Sequence, residues 1–171
     1  MLNVIERIAQ LMALAGGLVL TALVLLTCAS VMGRTLADSP ITGDFELVEA
    51  GVAFAIFAFL PIAQFYSSHA TVDIFTSALS RRMNRLIRAF WEVIFALVLI
   101  LITWRLYAGM QAKLAYGETT FLLQFPIWWA YAASFAAALV ASVTGLVTAI
   151  GRVIEAFTGR AILPFSEGAS H

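Results

Sequence analysis

The sequence predicts an all-α membrane protein of four transmembrane helices, and three observations predict it. Residues 8–32, 50–72 and 119–151 carry no Asp, Glu, Lys or Arg, and residues 93–104 form a shorter uncharged run that reaches span length between Glu92 and Arg105. The chain is 62% hydrophobic and 12% charged, with a mean hydropathy of +0.95, whereas soluble domains are about half apolar and a quarter charged. A helix rising about 1.5 Å per residue crosses a hydrocarbon core roughly 30 Å thick in about 20 residues. Four crossings therefore consume most of the 171 residues and leave no room for a separate catalytic domain.

The predicted spans are about 8–32, 46–68, 90–112 and 125–150, within one membrane domain over 1–171. The first apolar run is too long for the core of a signal peptide and three more follow it, so it reads as a retained helix. The loop Asp38-Ser39-Pro40-Ile41-Thr42-Gly43 reads as a tight turn, and Asp44 with Glu46 suits the positive end of the dipole of the second helix. Pro61 lies inside the second span and predicts a kink that neighbouring helices can accommodate. Pro126 follows the turn signal Gly117-Glu118-Thr119-Thr120 and suits the first turn of the fourth helix. The polar tail 158–171 is expected to be flexible. Ala133, Ala137, Ala141 and Gly145 on the fourth helix, and Ala9, Ala13 and Gly17 on the first, repeat every fourth position, a spacing that lets helix backbones approach closely in lipid.

Orientation follows from the basic residues. With the N-terminus in the cytoplasm, Arg7, Arg81, Arg82, Arg85, Arg88, Arg152 and Arg160 lie inside, and only Arg34, Arg105 and Lys113 outside. The positive-inside rule favours this N-in/C-in arrangement. Trp128, Trp129 and Tyr131 then fall at the outer end of the fourth helix and Trp91 at the inner end of the third, where an aromatic belt places them. Between the second and third spans, Val72, Phe75, Leu79, Met83, Leu86 and Phe90 recur at spacings of three and four. Arg81, Arg85 and Arg88 share another face, and Arg82 adds to the cluster. A basic amphipathic helix over about 72–88, lying in the cytoplasmic interface with its arginines on anionic lipid, is the expectation.

No ionisable residue falls at the centre of a span, where each would cost about 2.5–3.5 kcal/mol on insertion scales. The charges gather at two levels. The outer level holds Arg34, Asp44, Glu46, Glu49 and Arg105; the inner holds Glu6, Arg7, Asp73, Arg88 and Glu92, with His69 nearby. Glu46 and Glu49 are three residues apart and share a helix face, so pairing of one of them with Arg34, Arg105 or a basic residue of a partner is expected. Ion pairs that fix helix register or dock a partner are the better reading of these levels; a proton or ion relay is the rival.

The balance of ten basic and ten acidic residues offers no basic surface for nucleic acid. Cys28 is the sole cysteine, which excludes an intramolecular disulfide and a thiolate metal site. There is no phosphate loop, no HExxH and no nucleophile elbow. His69 and His171 cannot pair as mid-membrane haem ligands, which weighs against the anchor subunit of a membrane oxidoreductase. A small self-contained exporter needs an embedded acid in its first helix, and 8–32 has none.

Several short motifs, taken together, resemble the small membrane subunit (DctQ type) of tripartite ATP-independent periplasmic, or TRAP, transporters. They are Gly33-Arg34 closing the first helix, Phe45-Glu46-Leu47 opening the second, His69-Ala70-Thr71-Val72-Asp73 after it, the basic stretch 81–88, and Thr120 through Phe125-Pro126-Ile127-Trp128 opening the fourth. The family commonly shows an acidic residue then Leu, a His-x-x-Val-Asp element, and Pro with an aromatic at these places. The similarity runs from about Arg7 to Arg152; Pro61 belongs to no family pattern. The resemblance implies a scaffold in the bacterial inner membrane that binds no substrate, metal or cofactor. It would support a large membrane subunit of about a dozen helices in sodium-driven uptake of an organic acid. A periplasmic binding protein would deliver that acid, and sodium coupling would reside on the large subunit.

Overall fold

The computed structural model describes residues 2–39, 41–66 and 81–158. They form four helices: α1 (Leu2–Ala37), α2 (Asp44–Phe65), α3 (Arg81–Tyr116) and α4 (Ile127–Thr158). All four are long and apolar enough to cross a membrane. One end of the assembly carries the α1–α2 and α3–α4 connections and is here termed the loop end. The other, the terminal end, carries Leu2, Phe65, Arg81 and Thr158.

The helices do not close into a square bundle. α1 packs on α2, α2 on α4, and α4 most extensively on α3, giving the spatial order α1–α2–α4–α3. α4 is therefore the central helix, and half of its most apolar stretch is buried, whereas α1 leaves nearly all of its own exposed. Composition explains the difference. α4 buries Ala137, Ala138, Ala141, Gly145 and Ala149 together with Ser134, Ser142, Thr144 and Thr148. Small side chains on two faces admit a neighbour on each side.

The small-residue stripe on α4 packs as its spacing predicts from Ala137 onward, with Gly145 set against Leu99 and Ala96 of α3, while Ala133 is exposed. On α1 the contact differs from the expected Ala9, Ala13 and Gly17. Ala9 is buried, but the close approach is at Gly16, where an added Cβ would lie 3.0 Å from the Cβ of Ala58, whereas one at Gly17 would meet nothing. A turn of 100° per residue carries Gly17 off the face that Gly16 presents.

The third helix begins at Arg81, well before the expected 90, because nothing in Arg81–Phe90 breaks a helix. Arg81, Arg82, Arg85 and Arg88 therefore lie on the first turns of α3. Glu92 of α3 meets Gln64 near the end of α2, so α3 runs on beyond the end of α2 by the eleven residues between Arg81 and Glu92, about 17 Å. The remainder of the expected interfacial helix, with His69 and Asp73, and the tail from 159 onward lie outside the described residues. α2 continues through Pro61, whose ring is buried, and stops at Phe65, where Tyr66 N donates to Ile62 O at 3.1 Å. α1 runs to Ala37, past the expected 32, and Ser39 N then folds back to donate to Gly33 O at 3.1 Å. A Cβ on Gly33 would lie 2.6 Å from Ser39 O, so that return needs glycine.

Candidate functional site

Among the described residues that the sequence places at two levels, Asp44 and Glu46 are engaged at the loop end and Glu6 and Glu92 at the terminal end, with partners other than those expected. At the loop end, Ser30 is buried; its hydroxyl donates to Asp44 Oδ2 at 2.5 Å and accepts from Ile41 N at 3.3 Å. Asp44 also accepts from Phe45 N through Oδ1 at 2.8 Å, neutralising one of the free amides of the first turn of α2. One serine thus ties the end of α1 to the connection and to the start of α2.

Glu46 spends its carboxylate on backbone. Oε1 accepts from Leu122 N at 2.7 Å and Oε2 from Leu123 N at 2.9 Å. The α3–α4 connection is folded to present those amides: Thr120 N donates to Phe125 O at 2.8 Å, Phe125 N to Thr120 Oγ1 at 3.1 Å, and Ile127 N to Glu118 O at 3.1 Å. Gly43, at φ +80°, lies under Leu123, where any Cβ would collide with the leucine side chain. Among the described residues, neither Arg34 nor Arg105 pairs with Glu46 or Glu49. Arg34, Glu49 and Arg105 are exposed, and Arg105 lies 6.0 Å from the ring centroid of Trp104. The expected arginine pairing of Glu46 is replaced by amide capture, because two fixed N–H groups meet the carboxylate where the connection crosses it. Pro126 closes the connection through a bridge to Thr119, and Trp128 stacks edge-on against Trp129, which in turn meets Phe125.

The terminal end holds the most buried polar cluster. Gln64 of α2 is fully buried; its Nε2 donates to Glu92 Oε2 of α3 and approaches Thr148 Oγ1 of α4 at 3.4 Å. One turn beyond Thr148, Arg152 and Glu155 form a 2.9 Å ion pair, and both are 5% exposed. Tyr66 Oη donates to Glu6 Oε1 at 2.6 Å, joining α1 to the end of α2. Midway along α3, Thr103 and Ser142 share a 2.7 Å hydroxyl contact, with Thr103 3.2 Å from Ala138 O.

Sequence reasoning missed Gln64, Thr148 and Glu155 and treated Arg152 only as a topology signal. The available signal was Gln64 itself, the sole carboxamide in the uncharged stretch 50–72, and the i, i+3 spacing of Arg152 and Glu155. Gln64 joins α2 to α3 and α4 through Glu92 and Thr148, and Arg152 pairs with Glu155 within α4. Among the described residues no three His, Cys, Asp or Glu converge as a metal site.

The sequence model described as tripartite ATP-independent periplasmic transporters, DctQ component, matches residues 23–158. The chain belongs to the DctQ family. No curated protein and no solved structure matches it. The DctQ match begins in the middle of α1 and ends with α4, so it takes in both polar ends: Ser30, Asp44 and Glu46 at one, and Gln64, Glu92, Thr148, Arg152 and Glu155 at the other. DctQ proteins are small subunits of TRAP transporters, a family of transport components and not of enzymes.

Proposed function

We propose that this DctQ chain is the scaffold subunit of a sodium-driven TRAP transporter of the bacterial inner membrane, with both termini cytoplasmic. The family match carries the reading. Two features support it further. Buried Ser30, Gln64 and Thr103 each bond from one helix to the next, and the long apolar sides of α1 and α3 remain open, with Leu18, Leu25, Leu97 and Leu101 all more than half exposed. Such surfaces suit lipid and a much larger membrane partner.

In this reading a periplasmic binding protein delivers an organic acid to the large subunit, which carries both the substrate and sodium sites. The DctQ chain holds that subunit in the bilayer and has no cofactor or substrate site of its own. The basic positions on the first turns of α3 lie past the end of α2, with Arg88, one turn before Glu92, nearest the cytoplasmic headgroups, where a cation gains about 1 kcal/mol from anionic lipid.

The test is reconstitution. The chain should co-purify with a membrane protein of about a dozen helices, and uptake into liposomes should require both subunits and the binding protein. Uptake by this chain alone would overturn the scaffold reading. Reporter fusions after Gly43 and Gly117 should read periplasmic, and one after Thr158 cytoplasmic.

A further inference from the structure

We infer that the α3–α4 connection is a lipid anchor: Glu46 clamps it so that Phe121 and Leu122 sit in the headgroup–acyl boundary at the loop end. α2 has 22 residues, about 33 Å of helix, which nearly equals the roughly 30 Å hydrocarbon core. A helix of this length sets its two ends at the two membrane boundaries when it crosses upright, and Glu46, in its first turn, then marks the level of one of them. Because Leu122 N and Leu123 N are bonded to that carboxylate at 2.7 and 2.9 Å, the tip of the connection is held at the same level and not out in water.

From Thr119 to Pro126 the connection carries no charge, and Phe121 is 89% and Leu122 52% exposed. Backbone amides are the usual obstacle to placing a loop against lipid. Here those of Thr120, Leu122, Leu123, Phe125 and Ile127 all have acceptors. Trp129, 54% exposed, follows at the start of α4, and Phe45, 72% exposed, adjoins Glu46 on α2. An aromatic collar at one level is the signature of a membrane interface. The anchor does not depend on the transport reading, nor on which side of the membrane the loop end faces.

The experiment uses the full chain with Cys28→Ser, carrying a nitroxide at Phe121→Cys, in vesicles of phosphatidylethanolamine and phosphatidylglycerol. Leu25→Cys, on the exposed face of α1, gives the lipid reference, and Ser39→Cys gives the aqueous one. Expected is a ratio of oxygen to nickel-chelate collision several-fold above that of Ser39→Cys and approaching that of Leu25→Cys. Adding Glu46→Ala should bring the ratio down toward the aqueous reference, with helix content by circular dichroism unchanged. Glu46→Gln, which keeps one acceptor, should fall between. A nickel-accessible label in the parent chain overturns the anchor, since it places the tip in water. A label shielded from both reagents when the whole transporter is assembled also overturns it, since protein then covers the tip. Depth unchanged in Glu46→Ala removes the clamp from the mechanism and overturns the inference as stated.

Discussion

Gln64 donates to the carboxylate of Glu92, so a single buried amide links α2 to α3, helices that are otherwise joined through α4. The same amide approaches Thr148 of α4, so three helices meet at one side chain. In an apolar surround a polar group gains from its partner chiefly because the alternative is to be buried without one.

Replacing Gln64 by Leu should therefore destabilise the helix assembly by about 1–3 kcal/mol, the usual cost of stranding a buried polar partner. Gln64→Glu should be worse, because it sets a second carboxylate beside Glu92. Thermal unfolding of the purified chain in detergent measures both. Wild-type stability in Gln64→Leu would show that the link carries no energy.

Gly16 and Gly17 make a second comparison. They are neighbours in sequence, yet only Gly16 faces Ala58, at a distance that leaves no room for a larger side chain. Gly16→Leu should separate α1 from α2 and cost about 1–3 kcal/mol, in line with overpacking elsewhere. Gly17→Leu should be neutral or slightly stabilising, since a leucine there replaces a poor helix former and meets open space. A disulfide cross-link between α1 and α2, or protease sensitivity of the α1–α2 connection, separates the two outcomes.

These two cases also show what was legible in the sequence. The four helices long and apolar enough to cross a membrane, the α4 stripe and the family were readable because length, hydropathy and spacing act locally. Which of two adjacent glycines faces a neighbour was not, because that depends on helix rotation set by the partner. The order α1–α2–α4–α3 was likewise hidden, since loop lengths fix which helices are antiparallel but not which one becomes central. The amide capture by Glu46 was missed for a related reason. A carboxylate near arginines suggests an ion pair, and only the folded connection brings two N–H groups closer. The arginine stretch was expected to form a separate helix over 72–88, yet 81–88 continues into α3, where no glycine or proline interrupts it.

The Arg152–Glu155 pair is buried on both sides, so the cost of desolvating two charges offsets much of their attraction. Removing one partner should hurt more than removing both. Arg152→Met or Glu155→Leu alone should cost about 3–5 kcal/mol, and the double replacement clearly less than their sum. The double-mutant cycle is read by unfolding of the purified chain. Strictly additive losses would mean that each residue is held mainly by other groups.

Among the described residues Glu46 forms no ion pair with Arg34 or Arg105. If Glu46 is occupied by the amides of Leu122 and Leu123, its replacement should be felt in the α3–α4 connection and not at Arg34 or Arg105. Glu46→Ala should speed amide hydrogen exchange at Leu122 and Leu123 while leaving the core of α4 protected. Glu46→Gln combined with Arg34→Gln, or with Arg105→Gln, should give additive effects on complex yield, because residues that share no partner do not couple. The contrast is built into the measurement. Exchange at 122 and 123 reports the clamp, and the cycle reports an ion pair. Partial recovery of yield in either double variant, with exchange at Leu122 and Leu123 unaltered in Glu46→Ala, would replace the clamp with the arginine pairing that the sequence alone suggests.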